Sequence, residues 1–585
     1  MKDAIGVWSR ILGRSYSSVA TRAFEHEEDN FVRNAQKNQK RNRDNNHLRK
    51  KYKSYFSIAL VGLMFVFGGL FVLVANPYDV IFNWKITFSE GGEIFEIWRK
   101  PPVDLYLRVF LFNVTNREAF LSGKEKLKVQ EVGPYVYREM MSHENITFNE
   151  NGTVSAVPTH PLVWMPELSV GDHETDQLIL PHIALLSIAD VVSDKSYFTK
   201  LGLNLLIRQT DTHPLVQMSP KEFMFGYPST LMTLGNKFLP GWINFEKLGL
   251  IDRMYNFEGD YETVYTGEED SSLSGLLDTY NGSPQMPEWK GRCGYVRGAS
   301  DGMKFQSHIK DNDTLLFFRK SMCRPQYLIK ENETFASGLI GNVYRFPKNG
   351  MDNGKYDSEN SCYCRDNKCL RSGLLDVREC YYGFPIALSY PHFLDSDQSI
   401  IDEVDGYVPD RQKHETYFVI QPKSGLPLDL AVRFQINMAL GKIGSIAHVS
   451  RFDNMVLPLL WTEIRLYSLP DSMAMRFKMY LNVFPVMTTS IMWALFALGI
   501  TFVLVAVVRY ARRNGHRAST SKSFNWADDD VETERMDSKL TAYKKETMTN
   551  KELEVYFNSL VAPLNQELEQ LNYEPFQDKS ISGNH

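Results

Sequence analysis

Six cysteines, Cys293, Cys323, Cys362, Cys364, Cys369 and Cys380, crowd into one stretch of a 585-residue chain. Two chemistries suit them: disulfide formation in an oxidising compartment, or thiolate ligation of a metal. The Cys362-x-Cys364-x4-Cys369 run has no histidine at zinc spacing, and free thiolates do not persist in an oxidising lumen, so the expectation is disulfides and no metal site. An even count of six leaves fifteen pairings open. Glycosylation sequons at Asn113, Asn145, Asn151, Asn281, Asn312 and Asn332 point to the same compartment, because Asn-x-Ser/Thr is modified only in the secretory lumen. Gly298-Ala299-Ser300-Asp301-Gly302 fits the nucleophile-elbow pattern, which works only on a strand-to-helix turn with a partner His and acid. Neither the following helix nor the partners can be read here, so no catalytic residue is assigned. Near the C-terminus, Tyr573-Glu574-Pro575-Phe576 fits the tyrosine-x-x-bulky pattern that endocytic adaptors read, which makes Tyr573 and Phe576 the expected sorting pair.

Two apolar runs bracket every sequon and cysteine: Tyr55 to Ala75 and Pro485 to Val508. Each is free of charged side chains and long enough, at 1.5 Å per residue, to cross a hydrocarbon core of ~30 Å. Arg41, Arg43, Arg49, Lys50, Lys51 and Lys53 precede the first; Arg509, Arg512, Arg513 and Arg517 follow the second. The positive-inside rule therefore places both termini in the cytoplasm and the long middle segment outside. With 54 residues ahead of it, the first run is expected to serve as a signal anchor. The expected organisation is a cytoplasmic tail (1–54), a span (55–75), a lumenal or extracellular ectodomain (76–484), a second span (485–508) and a cytoplasmic tail (509–585). Net charge is −5, which offers no case for nucleic acid as a partner.

Within the ectodomain, Leu428 to Leu440 alternates strictly, with Leu428, Leu430, Val432, Phe434, Ile436, Met438 and Leu440 on one face and Asp429, Arg433, Gln435 and Asn437 on the other. That predicts a half-buried strand, joined through the Pro422–Gly425 turn to Thr416–Ile420. Val103 to Val114 reads as another long strand. From Thr175 to Arg208 the apolar spacing becomes helical and predicts two or three short helices, including Leu178, Ile179 and Ile183. Lys551 to Leu571 reads as an amphipathic helix in the C-terminal tail.

A set of ordered motifs resembles the class B scavenger receptors, the group that includes fatty-acid translocase, the lysosomal integral membrane protein, and the insect scavenger receptors and sensory neuron membrane proteins. They are Ile97-Trp98-Arg99-Lys100-Pro101-Pro102, Glu131-Val132-Gly133-Pro134-Tyr135-Val136-Tyr137-Arg138, Gly226-Tyr227-Pro228, Asp278-Thr279-Tyr280-Asn281-Gly282, Cys362-Tyr363-Cys364, Pro391-His392-Phe393-Leu394 and Pro458-Leu459-Leu460-Trp461. The resemblance implies an α+β membrane protein: two transmembrane helices flanking an ectodomain with an antiparallel β-barrel core, an internal apolar tunnel and an apical helical bundle. It implies pairing of Cys293 with Cys362, Cys323 with Cys380, and Cys364 with Cys369. It also implies a non-enzymatic receptor of the plasma membrane or endosome-lysosome membrane, without a cofactor, whose partners are lipids, lipoproteins or lipid-bearing particles, and which passes lipid to the membrane with endocytosis as a second outcome. At about 0.8 kcal/mol per methylene, a 16-carbon chain resists transfer through water by roughly 12 kcal/mol, so a sheltered path needs no covalent catalysis. The expected ligand surface is the apical helices, through Leu185, Ile188, Lys195, Phe198, Lys200, Leu205 and Arg208. The stretch Arg208-Gln209-Thr210-Asp211 lacks the closely spaced lysines of the mammalian lipid receptors, which favours a neutral lipid, a carotenoid or a protein ligand there. The alternative is a trafficking receptor that escorts a soluble lumenal protein.

Overall fold

A computed structural model describes residues 54–231, 233, 247–365 and 368–522, with side chains as far as Arg512 in the last helix. The N-terminal tail with its basic cluster, the side chains of Arg513 and Arg517, the Lys551–Leu571 segment and the Tyr573/Phe576 pair lie outside the described residues. Among the described residues two compact units emerge, one joining residues 54–63 to 499–522 and the other running from Met64 to Leu498.

Stretches of Ser54–Ile86 and Asp471–Arg512 are long and apolar enough to cross a membrane. In the first unit their helices pack closely, because a Cβ added at Gly62 would lie 2.9 Å from both the Gly499 carbonyl oxygen and Val503 Cγ2. Small residues are what let helix backbones approach in lipid, where no hydrophobic effect drives them together. Gly62→Leu is therefore expected to destabilise the pair by about 1–3 kcal/mol through overpacking. A lowered thermal midpoint of the full chain in detergent would register it; an unchanged midpoint would refute it.

In the second unit a twelve-stranded sheet carries the core. Its main path runs Leu315–Arg319, Arg324–Ala336, Leu339–Arg345, Tyr417–Ile420, Pro427–Ala439, Val456–Leu466, Leu105–Val114, Leu127–Glu139 and Val404–Asp405. Every pairing is antiparallel except the last, which is parallel. The two ends of this path do not hydrogen-bond to each other, so among the described residues no closed barrel forms, against expectation. A side-chain bond spans the gap: Arg319, on the first strand of the path, bonds Glu139, on the eighth.

The Pro427–Ala439 strand appears where alternation places it, but it is buried on both faces rather than one. The polar face is covered and fully partnered: Arg433 pairs with Glu463, Asp429 with Arg465, the Gln435 amide oxygen accepts the His392 N–H, and Asn437 donates to Ser389. Alternation reports polarity, and here polarity is satisfied by buried partners instead of water.

Register puts one edge of the sheet next to the spans. Leu105 lies opposite Glu139 and Leu466, Leu430 opposite Leu466, and Asn342 opposite Ile420. Hence the chain's entry at residues 99–105, its exit at 466–471, and the turns at 337–338 and 421–426 share that edge. At about 3.3 Å per residue the opposite edge is ~40 Å away along Pro427–Ala439.

The predicted helices lie at that far edge. Ile183–Ser193 and Tyr197–Gln209 are helical, whereas Leu178–Pro181 is a strand paired with Leu215–Met218, so Leu178 and Ile179 do not belong to a helix. Four apolar residues ending in Pro181, with a partner strand 34 residues on, carry too little length to show a period. Asp190 accepts the Gly441 N–H, and Asn204 exchanges hydrogen bonds with Ser445 and Ala447, which fastens both helices to the loop beyond Ala439.

Candidate functional site

The concave face of the sheet encloses an apolar cavity of about 500 Å³ at the edge shared with the spans. Alternate residues of several strands line it, among them Leu105, Phe317, Phe418, Leu430, Val432 and Ile464. Pro101, Pro102 and Val103 line it where the chain enters; Leu469 and Met473 line it where the chain leaves toward the second span. Its volume lies within the range of roughly 300–1,000 Å³ that holds small molecules. Lys100 stands at the rim, exposed and without an ion-pair partner among the described residues.

One wall is polar. Glu139 is wholly buried, and its Oε1 takes hydrogen bonds from Arg319 Nη2 at 2.5 Å and His160 Nδ1 at 2.6 Å, while Oε2 accepts from the Tyr255 hydroxyl at 3.3 Å. Burial alone would raise the carboxyl pKa; the Arg319 charge and the His160 bond overcome it and hold Glu139 at about 2.

Beside this wall His143 is sandwiched between groups of definite role. Nδ1–H donates to the Trp98 carbonyl at 2.8 Å, the ring stacks on Trp98 at 3.8 Å, and Nε2 faces Glu262 Oε1 at 2.8 Å and Asp301 Oδ2 at 3.6 Å. Burial would push the imidazole down, but the Asp301 and Glu262 carboxylates raise it to about 10, while burial raises Glu262 itself. The imidazole's stabilisation is present in full below the unfolded value of 6.5 and is lost as pH rises toward about 10. His143→Gln is accordingly expected to lower the melting temperature more at pH 6 than at pH 10. An equal loss at both would show that the charge is not what His143 contributes.

A second cluster, Glu131, His392 and His414, lies on the opposite face. His392 Nδ1 accepts the Val408 N–H and His414 Nδ1 accepts the Asp410 N–H, so in each ring the N–H is on Nε2. Those Nε2 atoms are donors, one of them to Glu131 Oε2 at 2.6 Å, and do not offer lone pairs to a cation. Burial and then the neighbouring His392 push His414 down to about 4. The cluster is a hydrogen-bonded seam that seats the Pro391–Phe393 turn against Trp461, whose Nε1 also donates to the Glu131 carboxylate.

The expected ligand residues divide. Leu185 and Ile188 sit inside the core at 0% and 3% exposure, because the Ile183–Ser193 helix is covered on every side, so they present no ligand surface. Phe198 and Leu205 are exposed at 81% and 61% on the next helix, with Lys195 and Arg208 exposed and Lys200 partly buried beside them. Ser300 is fully buried, its hydroxyl accepting the Gly302 N–H and its backbone bridged to Phe317, which is not a nucleophile elbow. The cysteines form Cys293–Cys362, Cys323–Cys380 and Cys364–Cys369. Five sequon asparagines are exposed; Asn113 is partly buried and accepts the Ile179 N–H.

Residues 59–510 match the CD36 family. The chain belongs to that family. Among its CD36-family relatives, scavenger receptor class B member 1 of Cricetulus griseus is 31% identical over 463 residues, covering 78% of this chain and 89% of that protein. Scavenger receptor class B member 1 of Bos taurus is 28% identical over 468 residues, covering 78% and 89%. Lysosome membrane protein 2 of Homo sapiens is 30% identical over 464 residues, covering 77% and 94%. Scavenger receptors of the CD36 family are receptors rather than enzymes, in keeping with the buried Ser300. The resemblance implied an apolar tunnel but named no lining residue, although Lys100, Pro101, Pro102 and Arg138, within two of the quoted motifs, border the cavity. Leu430 and Val432, within the Leu428–Leu440 alternation, were the available signal for its lining.

Proposed function

We infer that this CD36-family protein is a two-span scavenger-type receptor, with both termini cytoplasmic and glycans on its exposed sequons, that takes up a lipid and delivers it to its own membrane. The observation that carries this is the position of the cavity: Leu469 and Met473 line it, and the second apolar helix begins at Phe484, eleven residues beyond Met473. A chain leaving the cavity there meets the bilayer without crossing much water, which removes most of the cost of moving methylenes through solvent. Lys100 at the rim suits an amphiphile whose acidic headgroup stays outside while its chain lies along the apolar lining. An apical entry and a continuous tunnel complete the proposal, with Phe198, Leu205 and the flanking cations as the capture surface for a lipid particle. Endocytosis through Tyr573 and Phe576 is part of the same proposal.

A photoactivatable fatty acid incubated with the full chain in nanodiscs tests it. Label is expected on peptides carrying Leu426–Val432 and Ile464–Met473, and Met473→Trp is expected to reduce that labelling several-fold at unchanged expression by filling the cavity. Label confined to the apolar helices, or unaffected by Met473→Trp, would defeat the proposal.

A further inference from the structure

We propose that the span-side edge of the ectodomain is a bilayer-contact surface, with the Phe335–Ile340 hairpin tip seated among lipid headgroups and upper acyl chains. This rests on the two apolar helices crossing the membrane. The hairpin turns at Ser337 and Gly338, both with positive φ (51° and 74°), the geometry of a two-residue primed turn. Just behind the turn, Phe335 stands directly opposite Ile340, and the pair is exposed at 78% and 48%. A cross-strand apolar pair normally faces a core; this one stands largely exposed.

The tip's position is fixed by contacts. The Leu469 N–H donates to Ser337 Oγ at 3.3 Å, Asn482 Nδ2 donates to the Gly338 carbonyl at 3.4 Å, and a Cβ on Gly338 would collide with Lys478 Cε at 2.3 Å. The turn is therefore fastened to the helical segment Asp471–Val483, which runs straight into the apolar helix starting at Phe484. Six residues separate Lys478 from Phe484, about 9 Å of helix.

The same edge offers a matching feature from the other span. Helix Pro77–Ile86 buries Phe82 and Ile86 inward, is tied to the 421–426 turn by Lys423 to Asp79 at 2.6 Å, and leaves Val80, Ile81 and Trp84 exposed at 63%, 55% and 69%. Aromatic and apolar side chains interleaved with Lys85 and Lys478 are the composition of a membrane interface, where rings sit at headgroup depth and ammonium groups reach the phosphates. The occupant is the leaflet that both spans enter, not a soluble partner. Because the cavity lies at this same edge, the contact would also hold that end of it against lipid.

Nitroxide labels test this in the full chain in phosphatidylcholine nanodiscs; all six native cysteines are in disulfides, so each introduced cysteine is the single free thiol. Labels are placed at Phe335, at Tyr327 eight residues back on the same strand, and at Trp493 in the second apolar helix. At Phe335 and Trp493, collision with oxygen is expected to exceed collision with a water-soluble nickel chelate several-fold, with the order reversed at Tyr327. Lipid-type accessibility at Trp493 with water-type accessibility at Phe335 overturns the inference and leaves the spans intact. Water-type accessibility at Trp493 removes both. Protection of Phe335 from both agents, with spin-spin broadening, would mean that a second copy covers the tip, and also overturns it.

Discussion

Arg319→Met is expected to lower the unfolding free energy of the ectodomain by about 3–5 kcal/mol, the cost of removing one member of a buried ion pair. The reason is the state in which it leaves Glu139. That carboxylate has no exposed surface, and with the guanidinium gone it keeps only His160 and Tyr255. Its pKa, held at about 2 chiefly against burial by Arg319, must rise. Because Glu139 is depressed in the folded state, its contribution is present above the unfolded value of 4.5 and is lost as pH falls toward 2. The difference between wild type and variant should thus be full at pH 7, nearly full at pH 5, and shrink below about 4.5. Chemical denaturation across that range measures it. Adding Glu139→Gln to Arg319→Met is expected to recover part of the loss, since the buried charge goes with its partner. A loss under about 1 kcal/mol in the single variant, or no recovery in the double, would show that the pair does not tie the first strand of the path to the eighth. Either result would remove the reason to regard this wall of the cavity as fixed.

That ion pair also marks where sequence stops being informative. Local regularities survive in the chain: two charge-free runs of spanning length, alternation from Leu428 to Leu440, and helical spacing from Tyr197 to Arg208 each announce an element directly. Glu139 and Arg319 are 180 residues apart, and nothing near either names the other. The curl of the sheet, and therefore the cavity, depends on such long-range partners. Burial misleads for the same reason. Arg433, Gln435 and Asn437 read as a solvent face because polarity is visible in sequence while partners are not. Leu185 and Phe198 look alike in the helical pattern, yet one is in the core and the other points outward, because the Ile183–Ser193 helix is buried on every side while Tyr197–Gln209 buries only Leu203 and Ile207. The disulfide pairing was legible only through resemblance, since six half-cystines by themselves favour no pairing.

Removing Cys293–Cys362 by paired serine substitution is expected to cost about 4 kcal/mol, and removing Cys364–Cys369 only about 2, because loop-closure entropy grows with the logarithm of the loop. The sequence separations are 69 and 5 residues. Against a typical stability of about 5–15 kcal/mol, the first loss is a large share of what keeps a domain folded. It also falls at a structural junction. The Gly291–Gly294 turn carries Cys293, the Ser358–Tyr363 turn carries Cys362, and the region between them contains the first three strands of the sheet path. Arg324, fully buried and stacked on Tyr363 at 4.1 Å, sits beside this bridge, so loosening Cys362 also loosens the cover on a buried charge. The Cys293→Ser/Cys362→Ser chain is therefore expected to be retained with immature, endoglycosidase-sensitive glycans, while the Cys364→Ser/Cys369→Ser chain matures. Equal maturation of both would mean that these turns are held by packing alone, and that the long bridge is not what secures the Leu315–Arg319 edge on which Arg319 approaches Glu139.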